Sequence, residues 1–310
     1  MLVFPSQLQV SIIWGVMEFT GERMIPKINE GEVVWAEHYA RYILSSFFIK
    51  GKVVLDVACG SGYGSFYLAE KGAKKVFGID NSEETIKYAK RTYPHPKVEY
   101  SVGDALDLKL PGNSIDVVVS FETIEHVPDH RRFLSEVKRV LKKDGLLIIS
   151  TPNKGVFPPG NPFHTKEFTF KEFKTTLEEF FKNIEVLCQD NWITSGILKS
   201  RTVKSASISK QLKRVNMFKL FGKDPKTGLY LLALCSDAPI PRREAEVAAL
   251  YAFATGVDEW MRKQRVAEER LQKQILCLIT ELENIYRSRA WRLVTILRRV
   301  KHQLPFLRRL

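Results

Sequence analysis

The sequence has few cysteines and no long apolar run. Only four of its 310 residues are cysteine (Cys59, Cys188, Cys235 and Cys277), and no two of them form a C-x-x-C pair. A disulfide framework or a thiolate zinc site is therefore not expected, and a reducing cytoplasm is the expected compartment. No stretch approaches the roughly 20 consecutive apolar residues that a membrane-spanning helix requires.

Basic residues outnumber acids in two regions, and this concentrates the net charge of +13. Residues 196–228 contain nine Lys or Arg against the single acid Asp224, and residues 239–310 contain fifteen Lys or Arg against eight acids. An anionic partner would meet these two basic regions first.

The first sixteen residues carry no charge at all. A signal peptide needs a basic start and a small-residue cleavage site, and neither is evident. The run from Met17 to Arg23 has a different character. We therefore expect Met17 to be the biological start and residues 1–16 to be a non-native or disordered extension.

Short apolar runs alternate with helical patterns across residues 17–238, which we expect to form one domain with a basic insertion at 196–228. The expected strands are Lys52–Val57, Lys75–Ile79, Val98–Val102, Ile115–Ser120, Leu146–Ser150, Ile184–Cys188 and Leu229–Cys235. Helices are expected at 32–49, 63–71, 82–93, 130–142 and 169–181. This alternation predicts an α/β, Rossmann-like fold with a parallel, doubly wound, seven-stranded sheet.

Beyond Pro239 the apolar residues follow a 3-4 repeat over more than five heptads. The repeat consists of Val247, Leu250, Ala254, Val257, Met261, Leu271, Ile275, Leu278, Leu282 and Ile285, with Gln264 and Glu268 at its two polar positions. It favours a coiled-coil helix over 239–286 and hence a homo-oligomer, and a long helix folded back on the main domain is the alternative.

The last segment, residues 287–310, mixes Arg and Lys with Trp291, Leu293 and Phe306. Such a segment either lies as an amphipathic tail on the anionic inner face of a membrane or is a solvated basic tail. The composition leaves both interpretations open.

The strongest motif is L-D-V-A-C-G-S-G-Y-G at 55–64, where a buried strand leads into a glycine-rich turn that opens a helix. Gly60 and Gly62 let the backbone approach a ligand closely, and the helix N-terminus offers free N–H groups. The motif alone would also fit a dinucleotide.

Three acidic residues at successive strand ends narrow the choice of ligand. Asp80, twenty residues after Gly60, suits the two hydroxyls of a ribose, and Asp104 suits the exocyclic amine of adenine. Asp56, before the glycines, suits a cationic amino group and would repel a pyrophosphate. A ligand with an ammonium group, a ribose and an adenine would use all three, whereas helix capping alone would explain Asp56 and Asp80 as structural residues.

With these residues the sequence resembles the class I S-adenosylmethionine-dependent methyltransferases of the type 11/12 group. The other matching runs are F-G-I-D at 77–80, V-G-D-A at 102–105, S-I-D-V-V-V-S-F-E-T-I-E-H at 114–126 and L-K-K-D-G-L-L-I-I-S-T-P-N at 141–153. The resemblance covers about residues 18–238 and implies S-adenosylmethionine as the cofactor. The residues it places along the cofactor are Arg23, His38, Asp56, Ala58, Gly60, Gly62, Asp80, Asn81, Asp104, Ala105 and Glu122.

In similar enzymes the segment before the first strand folds over the cofactor. Arg23 or Arg41 would then pair with the carboxylate of the methionine part. A surface ion pair is the alternative explanation for each of these arginines.

Transfer of a methyl group to a hydroxyl also requires the removal of a proton. Glu122, Glu125 and His126 follow the fourth strand, at the edge where open α/β sheets bind ligands, and they share one face if this run is helical. His164 follows the fifth strand. We expect Glu125, His126 and His164 to be catalytic, and together with Glu122 they would suit Mg²⁺ or Mn²⁺.

This E-x-x-E-H…H set is similar to the metal site of small-RNA 3′-terminal 2′-O-methyltransferases, and E-x-x-E-H alone resembles that of ubiquinone-pathway O-methyltransferases. The loop at 153–163 departs from the RNA enzymes. Two other interpretations stay open. Either His126 or His164 is a metal-free general base, or Glu125 and His126 are structural residues of a packed turn.

The acceptor is suggested by runs at 19–26, 35–42 and 151–164, which resemble bacterial methyltransferases of surface-polysaccharide assembly. The resemblance implies O-methylation of a sugar in a lipid-linked or nucleotide-linked glycan, near the cytoplasmic membrane face. A quinone-type small molecule is another possible acceptor.

Two further hypotheses belong to other classes. RNA 2′-O-methylation is suggested by E-x-x-E-H…H and the basic insertion, but Phe218 and Phe221 are the only aromatic residues there, which is few for base stacking. A non-catalytic scaffold that oligomerises partners through its coiled coil is the non-enzymatic alternative. The intact cofactor acids argue against it.

Overall fold

The computed structural model of the chain describes residues 33–157, 161–191, 228–241, 273–282 and 284. The expectations for residues 1–32, which include Arg23, for nearly all of the basic insertion, for most of the apolar repeat and for the tail 287–310 lie outside these residues. The chain divides into two compact units, Met1–Ala254 and Thr255–Leu310, and each is described by itself.

The first unit is built on a seven-stranded sheet. Its strands are β1 (Val53–Val57), β2 (Lys75–Asp80), β3 (Val98–Val102), β4 (Ile115–Ser120), β5 (Leu141–Pro152), β6 (Asn183–Gln189) and β7 (Tyr230–Ser236). They are arranged in the order β3-β2-β1-β4-β5-β7-β6. All seven strands expected from the sequence are therefore confirmed.

One strand runs against the others. β7 pairs antiparallel with both β5 and β6, whereas β1 to β5 pair with one another in parallel. The expectation of an entirely parallel sheet is wrong at this strand. A strand buried on both faces has the same apolar composition in either direction, so its pattern cannot show which way it runs.

Among the described residues of this unit, five helices accompany the sheet: α1 (Val33–Ser46), α2 (Tyr63–Glu70), α3 (Glu83–Thr92), α4 (His130–Val140) and α5 (Phe170–Glu178). Ser82 caps α3 as expected, since its hydroxyl accepts the N–H of Thr85. Thr169 and Glu172 form a capping box at the start of α5. The helix expected at 130–142 ends two residues earlier, because β5 already begins at Leu141.

The core lies on both faces of the sheet. In β1, Leu55 and Val57 belong to one buried cluster, with Phe133 of α4 and Phe173 of α5, and Val54 belongs to another. The second cluster also contains Tyr42 and Leu44 of α1 and Leu68 of α2. Because helices cover both faces, ligands have access mainly at the strand ends, and β1 to β5 all end at the same edge.

In the second unit, residues 273–282 are helical. The exposed apolar side chains of this helix are Ile275, Leu276, Leu278, Ile279 and Leu282. The coiled coil itself stays a prediction. Among the described helices, none has the length and apolar character to cross a bilayer.

Candidate active site

The turn between β1 and α2 has an unusual backbone. Ala58, Gly60 and Gly62 have φ angles of 57°, 55° and 87°, in the left-handed region that favours glycine. A Cβ at Gly62 would lie 2.6 Å from the Cβ of Ala89, whereas a Cβ at Gly60 would meet nothing within 4 Å. The turn is thus closely packed on its inner side at Gly62 and open at Gly60.

Asp80, the last residue of β2, holds this turn. One carboxylate oxygen accepts the N–H of Gly60 at 3.1 Å, and the other accepts the N–H of Ser82 at 3.0 Å. Asn81 and Asp104 are exposed beside it, and Asp104 accepts the N–H of Leu106 at 2.8 Å. The structure therefore places the expected ribose and adenine residues at one edge of the sheet.

Asp56 is enclosed rather than presented at the edge. It is 1% exposed, and its carboxyl group accepts the hydroxyls of Tyr42 at 3.2 Å and Ser65 at 2.7 Å. Burial raises the pKa of Asp56 to about 7, with hydrogen bonds from Ser65 and Tyr42 acting in the opposite direction. Contact between this carboxyl group and a ligand's amino group would require Tyr42 or Ser65 to move.

This burial predicts a measurable effect of pH on stability. Between pH 3.8, the ordinary pKa, and about 7 the folded chain keeps the Asp56 proton, and the unfolded chain releases it. Asp56 therefore lowers the free energy of unfolding as pH rises through this window, by about 4 kcal/mol in all. The free energy of unfolding of Asp56→Asn, relative to that of wild type, should therefore increase by this amount between pH 4 and 7 and should not increase further above pH 7.

Urea unfolding of both proteins at a series of pH values measures this gain. The opposite contribution of His38 is present in both proteins and cancels in the difference. The exposed Asp144→Asn is the control and should run parallel to wild type. A constant difference between Asp56→Asn and wild type would contradict the prediction.

The buried Arg41 of α1 and the partly exposed Glu122, beyond the end of β4, form an ion pair. Arg41 is 1% exposed, and its Nη1 lies 3.7 Å from Glu122 Oε1, which accepts the hydroxyl of Ser150 at 2.6 Å. Burial lowers the pKa of Arg41, but Glu122 and other neighbours raise it more, so the guanidinium stays charged. Neither Nη1 nor Nη2 has a hydrogen-bond acceptor among the described residues.

His38 lies close to this pair on the same helix. Its Nδ1 is 3.2 Å from the hydroxyl of Tyr63, the first residue of α2. Burial and the charge of Arg41 lower the pKa of His38 to about 3, so its ring is neutral at physiological pH. His38 is therefore suited to hydrogen bonding in the site and not to ion pairing.

The run 122–126 is a turn and not a helix. The conditional expectation that Glu122, Glu125 and His126 share a helix face is therefore wrong. Glu122 has a φ of 49°, which is incompatible with the start of a right-handed helix. Glu122 consequently points to Arg41 and Ser150 and is not part of the group formed by the other three candidate ligands.

Glu125, His126 and His164 do come together. One ligand atom of each lies within 4.8 Å of the others, and the two imidazole rings are 4.9 Å apart, edge to face. Glu125 is 1% exposed; one carboxyl oxygen accepts the hydroxyl of Thr151 at 3.1 Å, and the other has no hydrogen-bond partner among the described residues. Burial, with the charge of Glu122, raises its pKa well above the ordinary value.

The hydrogen bonds define the tautomers of the two histidines. His126 Nδ1 is 3.1 Å from the carbonyl oxygen of Phe163, which can only accept, so Nδ1 carries a proton and Nε2 is the acceptor nitrogen. The amide of Asn161 takes the N–H of Phe163 on its oxygen and therefore presents its NH₂ group to His164 Nε2 at 3.0 Å. His164 Nδ1 faces Glu167 at 3.3 Å.

An open surface cavity of about 410 Å³ lies beside His164, one member of this group. His164, Asn161, Lys154 and Lys166 are among the residues that line it. Its polar lining suits a hydroxylated acceptor.

Comparisons with known proteins show which family this chain belongs to. Residues 55–149 match the family model of a methyltransferase domain. A ubiquinone biosynthesis O-methyltransferase of Coxiella burnetii is 36% identical over 161 residues, which cover 51% of this chain and 68% of that protein. The chain belongs to the class I S-adenosylmethionine-dependent methyltransferases.

The chain spans less than two thirds of the length of some curated relatives. A probable S-adenosylmethionine-dependent methyltransferase of Mycolicibacterium smegmatis is 38% identical over 167 residues, which cover 52% of this chain but only 64% of that protein. The solved structure of a putative S-adenosylmethionine-dependent methyltransferase from Listeria monocytogenes is 20% identical and covers 64% of this chain and 99% of that one, with a TM-score of 0.45.

The candidate site also contains residues that sequence reasoning missed. Tyr42 and Ser65 enclose Asp56, and Ser150 holds Glu122. Gln189 and Tyr230 contact Arg41. Hydroxyl and amide side chains have no distinctive spacing in the sequence, so only the fold reveals them.

Proposed function

We propose that this methyltransferase transfers a methyl group from S-adenosylmethionine to a hydroxyl oxygen. The observation that carries the proposal is the Glu125–His126–His164 group at the edge of the sheet that also presents Asp80 and Asp104. A cofactor site alone would serve any acceptor, but a histidine beside it that can accept a proton suits a hydroxyl, which must lose its proton.

The described residues fit the cofactor at both of its ends. The open space at Gly60, the carboxylate of Asp80 and the exposed Asp104 suit the adenosyl part. The ion pair of Arg41 and Glu122 suits an amino-acid zwitterion, because the guanidinium nitrogens without acceptors can bind the carboxylate and Glu122 can bind the ammonium group. The cofactor supplies a methyl group activated by the positive charge on its sulfur.

The protein's own contribution to the chemistry is to hold the acceptor and to receive its proton. The Phe163 carbonyl fixes the tautomer of His126, so that Nε2 is the nitrogen that accepts. The hydroxyl of Thr151 donates to the Glu125 carboxyl group and fixes its position. We assign the proton from the acceptor hydroxyl to His126, with Glu125 and His164 keeping its ring in position.

A divalent cation, Mg²⁺ or Mn²⁺, is the second candidate for this role. The close approach of Glu125, His126 and His164 and the carboxyl oxygen of Glu125 without a partner favour it. The amide of Asn161 at His164 Nε2 opposes it, since that nitrogen would have to exchange partners. Full activity in a strong chelator would eliminate the cation.

We propose a sugar hydroxyl of a cell-surface glycan as the acceptor, which the polar cavity supports. Labelled S-adenosylmethionine incubated with cell fractions tests this, and the label should appear in glycolipid or nucleotide-sugar. Label found only in RNA or only in quinones would overturn the sugar proposal in favour of those acceptors. Failure of the protein to bind S-adenosylmethionine would restore the scaffold hypothesis.

We further propose that the apolar repeat at 239–286 joins copies of the chain. The exposed leucines and isoleucines of the helical residues 273–282 support this. Light scattering of the protein with and without residues 239–310 measures the number of subunits, and equal numbers would refute the proposed association.

We also propose a peripheral contact with the inner membrane face through residues 287–310. Cosedimentation of the protein with anionic vesicles, compared with and without these residues, tests this contact.

A further inference from the structure

Arg41 is held from the far edge of the sheet. Its Nε donates to Gln189 Oε1 at 2.9 Å, and its guanidinium carbon lies 4.3 Å from the ring centre of Tyr230. Gln189 ends β6 and Tyr230 begins β7, and the two residues pair across these strands. Both strands lie beyond β5, on the side of the sheet away from β2 and β3.

Gln189 is itself fixed at both ends of its amide. Its oxygen accepts Arg41 Nε, and its nitrogen donates to the backbone carbonyl of Glu37 at 2.9 Å, one turn earlier on α1. The Glu37 side chain is in turn occupied by the hydroxyl of Tyr230 at 2.8 Å. The other oxygen of Glu37 accepts the side-chain amide of Asn191, so hydrogen bonds occupy both carboxylate oxygens, and Gln189 Oε1 is the acceptor that Arg41 Nε contacts.

Fixing Nε also fixes the rest of the guanidinium, because the group is planar and its N–H donors form a rigid fork. Nη1 and Nη2 are buried and have no hydrogen-bond acceptor among the described residues, with Glu122 the nearby carboxylate at 3.7 Å. Buried donors without acceptors are unfavourable, and a carboxylate that accepted both would relieve this in the bidentate geometry that arginine favours.

We propose that Gln189 is a positioning residue that aims the Arg41 guanidinium at the carboxylate of the cofactor's methionine part. This inference rests on the proposed cofactor. Through Gln189, the end of β6 contributes to cofactor affinity by orienting Arg41 of α1. Because this role concerns the carboxylate, removing Gln189 should lower the affinity only for ligands that carry a carboxylate.

The test compares two ligands that differ at the amino-acid end. S-adenosylhomocysteine carries the carboxylate, and 5′-methylthioadenosine lacks the amino-acid part. Gln189→Met, which keeps the length of the side chain but not its hydrogen bonds, should weaken S-adenosylhomocysteine roughly tenfold in calorimetric titration, the equivalent of one hydrogen bond to a charged group. Binding of 5′-methylthioadenosine should change less than about twofold, within ordinary variation for a remote substitution.

Asn183→Leu is the matched control, because it also removes an amide from β6, at the end where Asn183 contacts the carbonyls of Asp237 and Ala238. It should leave the ratio of the two affinities unchanged. Arg41→Met should lower the same ratio further than Gln189→Met.

The outcomes separate this inference from the proposed function. If Gln189→Met lowered the affinities for both ligands equally, Gln189 would have a merely structural role and the inference would be overturned. Unchanged affinities for both ligands would overturn it as well. Wild-type protein that binds neither ligand would overturn the proposed cofactor and this inference together.

Discussion

Replacement of His126 by glutamine should lower the rate of methyl transfer by roughly 10²–10⁴-fold, the usual contribution of a general base. Glutamine can still donate to the Phe163 carbonyl, which His126 Nδ1 contacts at 3.1 Å, but it cannot accept a proton at the position of Nε2. The affinity for S-adenosylhomocysteine should stay within about twofold of wild type, since the substitution removes no group assigned to the cofactor.

The measurement is kcat with the acceptor that the labelling experiment identifies, together with calorimetric binding of S-adenosylhomocysteine. His95→Gln is the matched control, because His95 precedes β3 at the opposite edge of the sheet and pairs with Glu70. Retention of kcat in His126→Gln would show that His126 does not take part in the chemistry.

Assays of wild type and His164→Ala across a metal titration would distinguish a metal-free general base from a cation site, because only a cation site depends on added Mg²⁺ or Mn²⁺.

Replacement of Asp80 by asparagine should lower the affinity for S-adenosylhomocysteine roughly 100-fold. A carboxylate that accepts two ribose hydroxyls makes charge-assisted bonds of about 1.5–3 kcal/mol each, and asparagine keeps one neutral acceptor. The contacts of Asp80 with the N–H groups of Gly60 and Ser82 show that it already shapes the open turn. Part of the loss should therefore come from a displaced Gly60.

A ligand without ribose hydroxyls separates these two contributions. The 2′,3′-dideoxy analogue of S-adenosylhomocysteine should bind wild type and Asp80→Asn with similar affinity if the hydroxyl contacts dominate. Glu99→Gln, an exposed acid on the neighbouring strand that pairs with Lys75, is the control and should bind as wild type does. Unchanged binding of S-adenosylhomocysteine by Asp80→Asn would remove Asp80 from the ribose site.

The strands and most helices followed from local patterns, because buried strands are short apolar runs and helix starts carry caps such as Ser82 and Thr169. The position of Asp80 followed as well, since parallel neighbouring strands end at one edge. The direction of β7 did not follow, because direction depends on how the chain returns to the sheet and leaves no trace in a strand buried on both faces.

The site was predictable only in part for a similar reason. Glu125, His126 and His164 are chemically distinctive and were found from the sequence. The departure of Glu122 from them depends on one backbone angle, a φ of 49°, which no residue pattern near Glu122 announces. The burial of Asp56 and Arg41 likewise depends on Tyr42, Ser65, Gln189 and Tyr230, which lie far apart in the sequence.

The pairing of Gln189 with Tyr230 has a consequence for how this protein can diversify. The chain leaves the sheet and re-enters it at adjacent points, so the strands hold each other irrespective of what joins them. Loop closure in general costs only about 0.6 kcal/mol more for each doubling of loop length. The number of residues between β6 and β7 can therefore change at little cost, while the Gln189–Tyr230 pair and its contacts with Arg41 stay as they are.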